Sequence, residues 1–205
     1  MDTRFQDLLL EYAQSSTDLL RSQVEATLWQ EFGTKAAVFV MDMSGFSRLT
    51  QRFGIVSYLS IVRRMQLASQ PIIEQYGGSV IKYEADNCYA AFPDSLPAVQ
   101  AGLALKAAFT SMNVYSPEKT DIHVCIGIDY GNVLMIGGPD YFGDTVNLAC
   151  KLGEDLARPG EILITRRAFE RIPKDAGVTG KPQKFSISGI KLSAYSITSG
   201  DKSPC

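Results

Sequence analysis

Two short apolar segments, each marked by an aspartate, constrain this 205-residue chain more than anything else in it. The first, Ala36-Ala37-Val38-Phe39-Val40-Met41, is closed by Asp42 and opens into Met43-Ser44-Gly45-Phe46-Ser47. A brief apolar run of this kind reads as a buried strand. The second, Ser79 to Phe92, carries Asp86 in its middle. Residues 79–84 and 87–92 therefore read as two strands around a tight turn, with Asp86 near the tip. Between the segments, Tyr58, Ile61, Val62, Met65, Leu67, Ile72 and Ile73 recur at helical spacing. That pattern predicts a helix from about Ser47, broken near Gly54, resumed to Tyr76 and stopped by Gly77-Gly78. Both aspartates would then sit on rigid backbone and stay open to a ligand. Two carboxylates brought together make a hard, oxygen-rich site that suits Mg²⁺ or Mn²⁺, with substrate phosphates completing the shell. Nucleotide-phosphate chemistry is the first expectation.

The rest of the chain alternates in a similar way. Phe5, Leu8, Leu9 and Tyr12, then Leu19, Leu20, Val24 and Leu28, predict two amphipathic helices over about 4–14 and 17–31, ending at Gly33. Ser15 to Asp18 separates them and offers N-caps. Their apolar stripe is expected to pack on this domain or on a second copy of it. Pro93-Asp94-Ser95 caps a helix over about 96–113. Asp121–Ile128 reads as a strand, with Gly131-Asn132 turning it into a second strand, 133–136, to make another hairpin. A helix from Tyr141 to Leu156, a strand over 161–164, a short helix over 166–171 and strands at 184–188 and 192–198 complete the reading. The expected class is α+β, a mostly antiparallel sheet with covering helices, plus the N-terminal helices. The expected divisions are 1–33, 34–198 and a loose tail over 199–205.

Composition narrows the function. Hydrophobic residues are 45% and charged residues 20%, ordinary for a globular domain, and the net charge is −2. There is no global basic field for nucleic acid. Cys88, Cys125, Cys150 and Cys205 form no CxxC pair, and His123 is the only histidine, so a zinc site is poorly supported. Cys88 and Cys125 lie in apolar strands and read as reduced core residues, which fits a cytoplasmic setting. No apolar run approaches a membrane span, so no direct membrane insertion is expected.

Four motifs now come together. Val38 to Ser47 resembles the first metal-binding motif of class III nucleotidyl cyclases, and Ile81 to Asp86 resembles the second. Val124 to Val133 resembles the family's glycine-marked hairpin, and Asp140 to Lys151 resembles its last motif. They keep the family's order and spacing from about 36 to 165, and more weakly to 198. The resemblance implies a ferredoxin-like catalytic domain working as a head-to-tail homodimer with composite sites. It also implies two divalent ions, Mg²⁺ or Mn²⁺, on Asp42 and Asp86 with the Met43 carbonyl. The loop through Gly45 and Phe46 would bind the β- and γ-phosphates at a helix N-terminus.

The resemblance extends to the base. Lys82 and Asp140 match the pair that reads the purine in adenylyl-specific members. A lysine donates to adenine N1, and an aspartate accepts from the N6 amine. Guanine presents the reverse pattern, and guanylyl members resemble Glu and Cys there. ATP is the implied substrate, with cyclic AMP and pyrophosphate the products. Asn147 matches the asparagine that orients the ribose. Taken without the resemblance, Asp42 reads as a helix N-cap, Asp86 as a turn residue, Lys82 as a solvated strand residue and Asp140 as a loop residue. A catalytically weak regulatory module and a cyclase for another base, guanine or a pyrimidine, remain the competing functions.

Three positions depart from the family pattern. Lys151 stands where an arginine usually contacts the α-phosphate, keeping charge but losing the bidentate fork. Ser188 replaces a phosphate-holding lysine, for which Lys184 or Lys191 could substitute. Ala85 replaces the glycine before the second aspartate, a small change if the turn needs no positive φ.

Overall fold

The computed structural model describes residues 2–116, 121–137, 140–187 and 190–199, with backbone alone at 46–48, 187, 190, 191 and 199. Strand β1 (Gly33–Met43) is its axis. From Ala36 to Met41 its residues are all apolar and buried, and it pairs antiparallel on both sides, with β3 (Asn87–Phe92) and β4 (Val124–Ile136). A strand buried on both faces reads as a continuous apolar run rather than an alternating one. The sheet continues through β2 (Ser79–Glu84) on one side and β6 (Ile162–Thr165), β8 (Ile190–Ser199) and β7 (Val178–Ile187) on the other. Only the β4–β6 pairing is parallel among these; a short β5 (Asp140–Phe142) adds to β4 off the main path.

Alternation along β1 splits the core in two. Ala37, Phe39 and Met41 face α4 (Ile55–Gln75) and α5 (Ser95–Val114), packing with Tyr58, Ile61, Met65, Leu105 and Phe109. Ala36, Val38 and Val40 face the opposite side, with Val133, Tyr141 and Ala149 of α6 (Asp144–Cys150). Asp42 continues this second series, so the parity of β1 places it on the α6 side of the sheet. The short helix α3 (Phe46–Phe53) follows β1, and its N-cap is Gly45 in the left-handed region, φ +95°. Asp42 is therefore not the cap of the next helix.

The N-terminal helices α1 (Thr3–Gln14) and α2 (Asp18–Phe32) are capped by Asp2 and Thr17 and pack one face on this domain. Phe5, Leu8, Val24 and Leu28 close over Ile136 and Leu134 at the end of β4.

Three expectations need correction. Gly131-Asn132 does not turn the chain: β4 runs unbroken from 124 to 136 because β1 pairs with it throughout, from Met43 opposite Val124 to Gly33 opposite Leu134. The hairpin lies later, where Ile136 pairs with Asp140 and Leu134 with Phe142. Tyr141 is consequently a buried strand residue, and the helix begins at Asp144. That helix changes at Lys151 into a π-helical turn, Lys151–Leu156. The final strands are longer than expected, 178–187 and 190–199.

Candidate active site

Asp42, near the end of β1, and Asp86, in the turn before β3, are neighbours at one end of the sheet. Asp42 pairs with Asn87, the first residue of β3, across β1–β3, and Asp86 is the residue just before it. Burial, then the charges of Asp86 and Glu154, push the Asp42 carboxyl up to about 7. Negative charge thus accumulates at a half-buried strand end, which is the electrostatics of a cation site. The donors present, two carboxylates and the Met43 carbonyl at the end of β1, are the hard oxygens a small divalent ion takes, so the residues fit Mg²⁺ or Mn²⁺. Among the described residues no group of three His, Cys, Asp or Glu side chains is spaced to hold a metal.

Asp86 is held in a two-residue turn closed by the Glu84–Asn87 pair. Its Oδ2 accepts a 2.6 Å hydrogen bond from the Tyr58 hydroxyl on α4. Burial and then this carboxylate push the Tyr58 phenol well above its ordinary value. Before it, Ala85 adopts φ +52°, the one positive φ at a non-glycine position among the described residues. The turn does need a positive φ, so replacing glycine here costs about 1–2 kcal/mol in backbone strain.

Lys82 and Asp140 are brought together: Lys82 Nζ lies 3.3 Å from Asp140 Oδ1 and 3.1 Å from Glu84 Oε2. A β-bulge makes this possible. The β2–β3 register shifts between Val80 and Lys82, so Lys82 and not Ile81 stands opposite Tyr89. The extra residue turns the lysine away from the Cys88 side of the sheet, which is core, toward the face carrying Tyr89. Its ammonium sits 5.1 Å from the centre of the Tyr89 ring. Glu84 first, and Asp140 with it, hold the Lys82 ammonium above its ordinary value against partial burial. Asp140 Oδ1 also accepts from the Tyr141 backbone N–H, which orients the carboxylate.

Asn147 is exposed on α6, and Lys151 is half-buried where the π-helical turn begins. Single π turns inside helices recur at functional sites. The helix lies hard against the sheet: a Cβ on Gly127 would meet the Ala149 carbonyl oxygen at 2.1 Å, and one on Gly153 would meet that of Val40 at 2.9 Å. On the same turn Glu154 accepts from the Tyr89 hydroxyl at 3.0 Å. Gly45 is exposed at the start of α3, while the Phe46 side chain, Ser188 and the side chain of Lys191 lie outside the described residues. Lys184 is exposed in β7, opposite Ser193.

Sequence reasoning missed Tyr58 and a second network. Asp129 is wholly buried in β4, receives the Thr165 hydroxyl, and is gripped by two nitrogens of Arg167, one of them Nε at 2.8 Å. Arg167 also reaches Thr145, in the first turn of α6. A signal existed: a charge closing the apolar run Val124-Cys125-Ile126-Gly127-Ile128, still within a strand, demands a partner once buried. Cys88 and Cys125 are buried free thiols, as expected, and burial pushes Cys88 up to about 12.

The profile of the adenylate and guanylate cyclase catalytic domain matches residues 30–199. Over 137 residues, 67% of this chain and 23% of the other, the chain is 31% identical to a Rhizobium meliloti protein provisionally named adenylate cyclase 3. Over 138 residues, 67% of this chain and 34% of the other, it is 29% identical to the adenylate cyclase of Streptomyces coelicolor. The chain spans about a quarter to a third of the length of these relatives. Among solved structures, the adenylyl cyclase CyaB from P. aeruginosa superposes with TM-score 0.67 and 21% identity, covering 83% of this chain and 96% of that one. The guanylate cyclase domain of RhGC from Catenaria anguillulae, in complex with GTP, gives 0.67 and 20%, covering 82% and 97%. These two structures, one named for each base, superpose on the chain equally well. With motifs, sheet order and profile in agreement, this chain belongs to the adenylate and guanylate cyclase catalytic domain family.

Proposed function

We propose that the chain is an adenylate cyclase catalytic domain, converting ATP to 3′,5′-cyclic AMP and pyrophosphate at composite sites of a head-to-tail homodimer. The observation that carries the choice of base is the juxtaposition of Lys82 and Asp140 at 3.3 Å. An ammonium and a carboxylate side by side match the N1 acceptor and N6 donor of adenine, and the wrong base leaves both unpaired.

In this reading Asn147 orients the ribose and Lys151 places its charge by the α-phosphate, where charge grows during in-line displacement by the 3′-oxygen. The exposure of Asn147 suits a residue that serves a site completed by the partner. The Met43–Phe46 loop offers backbone N–H groups to the terminal phosphates at the start of α3. Asp42 and Asp86, with the Met43 carbonyl, would hold the divalent ions. Such ions, when bound, acidify the 3′-hydroxyl and neutralise charge on the leaving pyrophosphate. The segment 1–33 is the dimerisation or regulatory element, a reading supported by the exposure of Leu9, Leu10, Tyr12, Leu19 and Leu20 on the face of the helix pair away from the sheet.

The test is cyclic nucleotide production by purified protein with Mn²⁺ and each of ATP, GTP, CTP and UTP, with Asp42→Ala as blank. Cyclic AMP from ATP alone, abolished in the variant, is the expected result. One observation favours a second reading, a weak nucleotide-binding regulatory module: Glu84 competes with the base for Lys82 at 3.1 Å. Absence of product from every nucleotide, at concentrations where the protein is dimeric, would select that reading.

A further inference from the structure

We infer that the Tyr58 hydroxyl is a positioning group for Asp86 that engages one carboxylate oxygen and favours metal coordination through the other, and so biases the site toward small octahedral divalent ions over Ca²⁺. The inference rests on the reading of Asp86 as a metal ligand.

The geometry is specific. Tyr58 is 2% exposed, its ring packed in the main core, on a helix anchored by buried Ile61, Val62, Met65 and Ile73. Its hydroxyl donates to Asp86 Oδ2 at 2.6 Å, the length of a charge-assisted bond to a carboxylate. Asp86 itself stands on a turn whose preceding residue, Ala85, is held at φ +52°. A strained two-residue turn alone would leave the carboxylate poorly fixed. The bond to α4 ties it to the rigid core instead. With one lone pair of Oδ2 engaged and its direction fixed by the phenol, Oδ1 is the oxygen better placed for a cation, which favours monodentate coordination. Calcium accepts six to eight oxygens and commonly takes a carboxylate bidentately, whereas Mg²⁺ requires near-octahedral geometry with single oxygens. Hydrogen bonds to ligating carboxylates typically change metal affinity by about 10–100-fold when removed.

The test is a pair of variants, Tyr58→Phe and Asp86→Asn, titrated with Mn²⁺ in the presence of a non-cyclisable ATP analogue. Bound Mn²⁺ is read by electron paramagnetic resonance, and Ca²⁺ is added as competitor. Phenylalanine fills the space of the tyrosine ring, so the melting temperature is expected to stay close to that of the parent. Tyr58→Phe should weaken Mn²⁺ binding about 10-fold or more and raise the effectiveness of Ca²⁺ as competitor. A purely structural tyrosine would leave both unchanged. Unaltered Mn²⁺ affinity and Ca²⁺ competition in Tyr58→Phe, with binding lost in Asp86→Asn, would overturn the inference and spare the metal assignment. Unaltered Mn²⁺ binding in Asp86→Asn would instead remove the metal assignment, and this inference with it.

Discussion

At the scale of single residues, the proposed base-reading pair, Lys82 and Asp140, shows how little separates one specificity from another. Lys82 reaches Asp140 only because one extra residue, Ile81, is accommodated in β2. Glu84 also holds the lysine and the Tyr89 ring frames it, so the orientation of the pair depends on both neighbours. Exchanging both members, Lys82→Glu with Asp140→Cys, should lower kcat/KM for ATP by about 10²-fold or more and raise it for GTP, because each edge then meets its complementary donor or acceptor. Parallel kinetics with the two nucleotides check this, and an unchanged preference would remove the basis for assigning ATP. Both residues were legible in the sequence from their motifs, but their contact was not. Simple alternation along β2 puts Lys82 on the same side as Cys88, and Cys88 is buried.

At the scale of elements, α6 and its π-helical extension carry Asn147 and Lys151 while lying in backbone contact with β4 and β1. Gly127 is the residue that permits this closeness. Gly127→Ala should displace the helix, since the new methyl would stand 2.1 Å from the Ala149 carbonyl oxygen. The expected result is a lower melting temperature, a loss of about 1–3 kcal/mol from overpacking, and a larger fall in kcat than in nucleotide affinity. Thermal unfolding with steady-state kinetics separates the two effects. The Asp129–Arg167–Thr145 network ties the first turn of the same helix to α7 (Arg166–Phe169), so both ends of α6 are fixed by the sheet side of the molecule. The sequence marks a helix here by its apolar spacing, but not its switch at Lys151. That switch is set by how the helix meets the sheet, and helical periodicity carries no record of it.

At the scale of the whole molecule, the proposed dimer makes a prediction no single chain could satisfy. If the metal aspartates come from one protomer and the base and ribose contacts from the other, Asp42→Ala and Asn147→Ala are each inactive alone. Mixed together, random pairing makes half the dimers mixed, each with one intact site of two, so about a quarter of parental activity should return in a symmetric dimer. Activity assays on the mixture, against each variant alone at equal total concentration, check this. No recovery would show that Asp42 and Asn147 act within one chain. The helix pair at the N-terminus enters at this scale too, since Phe5 and Leu8 cover the end of β4 with one face and leave another exposed.

The sequence by itself determined the order of strands and helices through β3, the hairpin carrying Asp86 and the family to which the chain belongs. These follow from local periodicity, turn residues and motif spacing, which are properties of neighbours along the chain. Only the tertiary structure decided that β4 continues through Gly131-Asn132, because pairing with β1 along its whole length outweighs a local turn signal. It alone decided the bulge that aims Lys82, the positive φ at Ala85 and the hydroxyl that Tyr58 offers Asp86 across 28 residues. Each of these depends on where a second element happens to lie, and register, strain and cross-sheet hydrogen bonds exist only once both elements are in place.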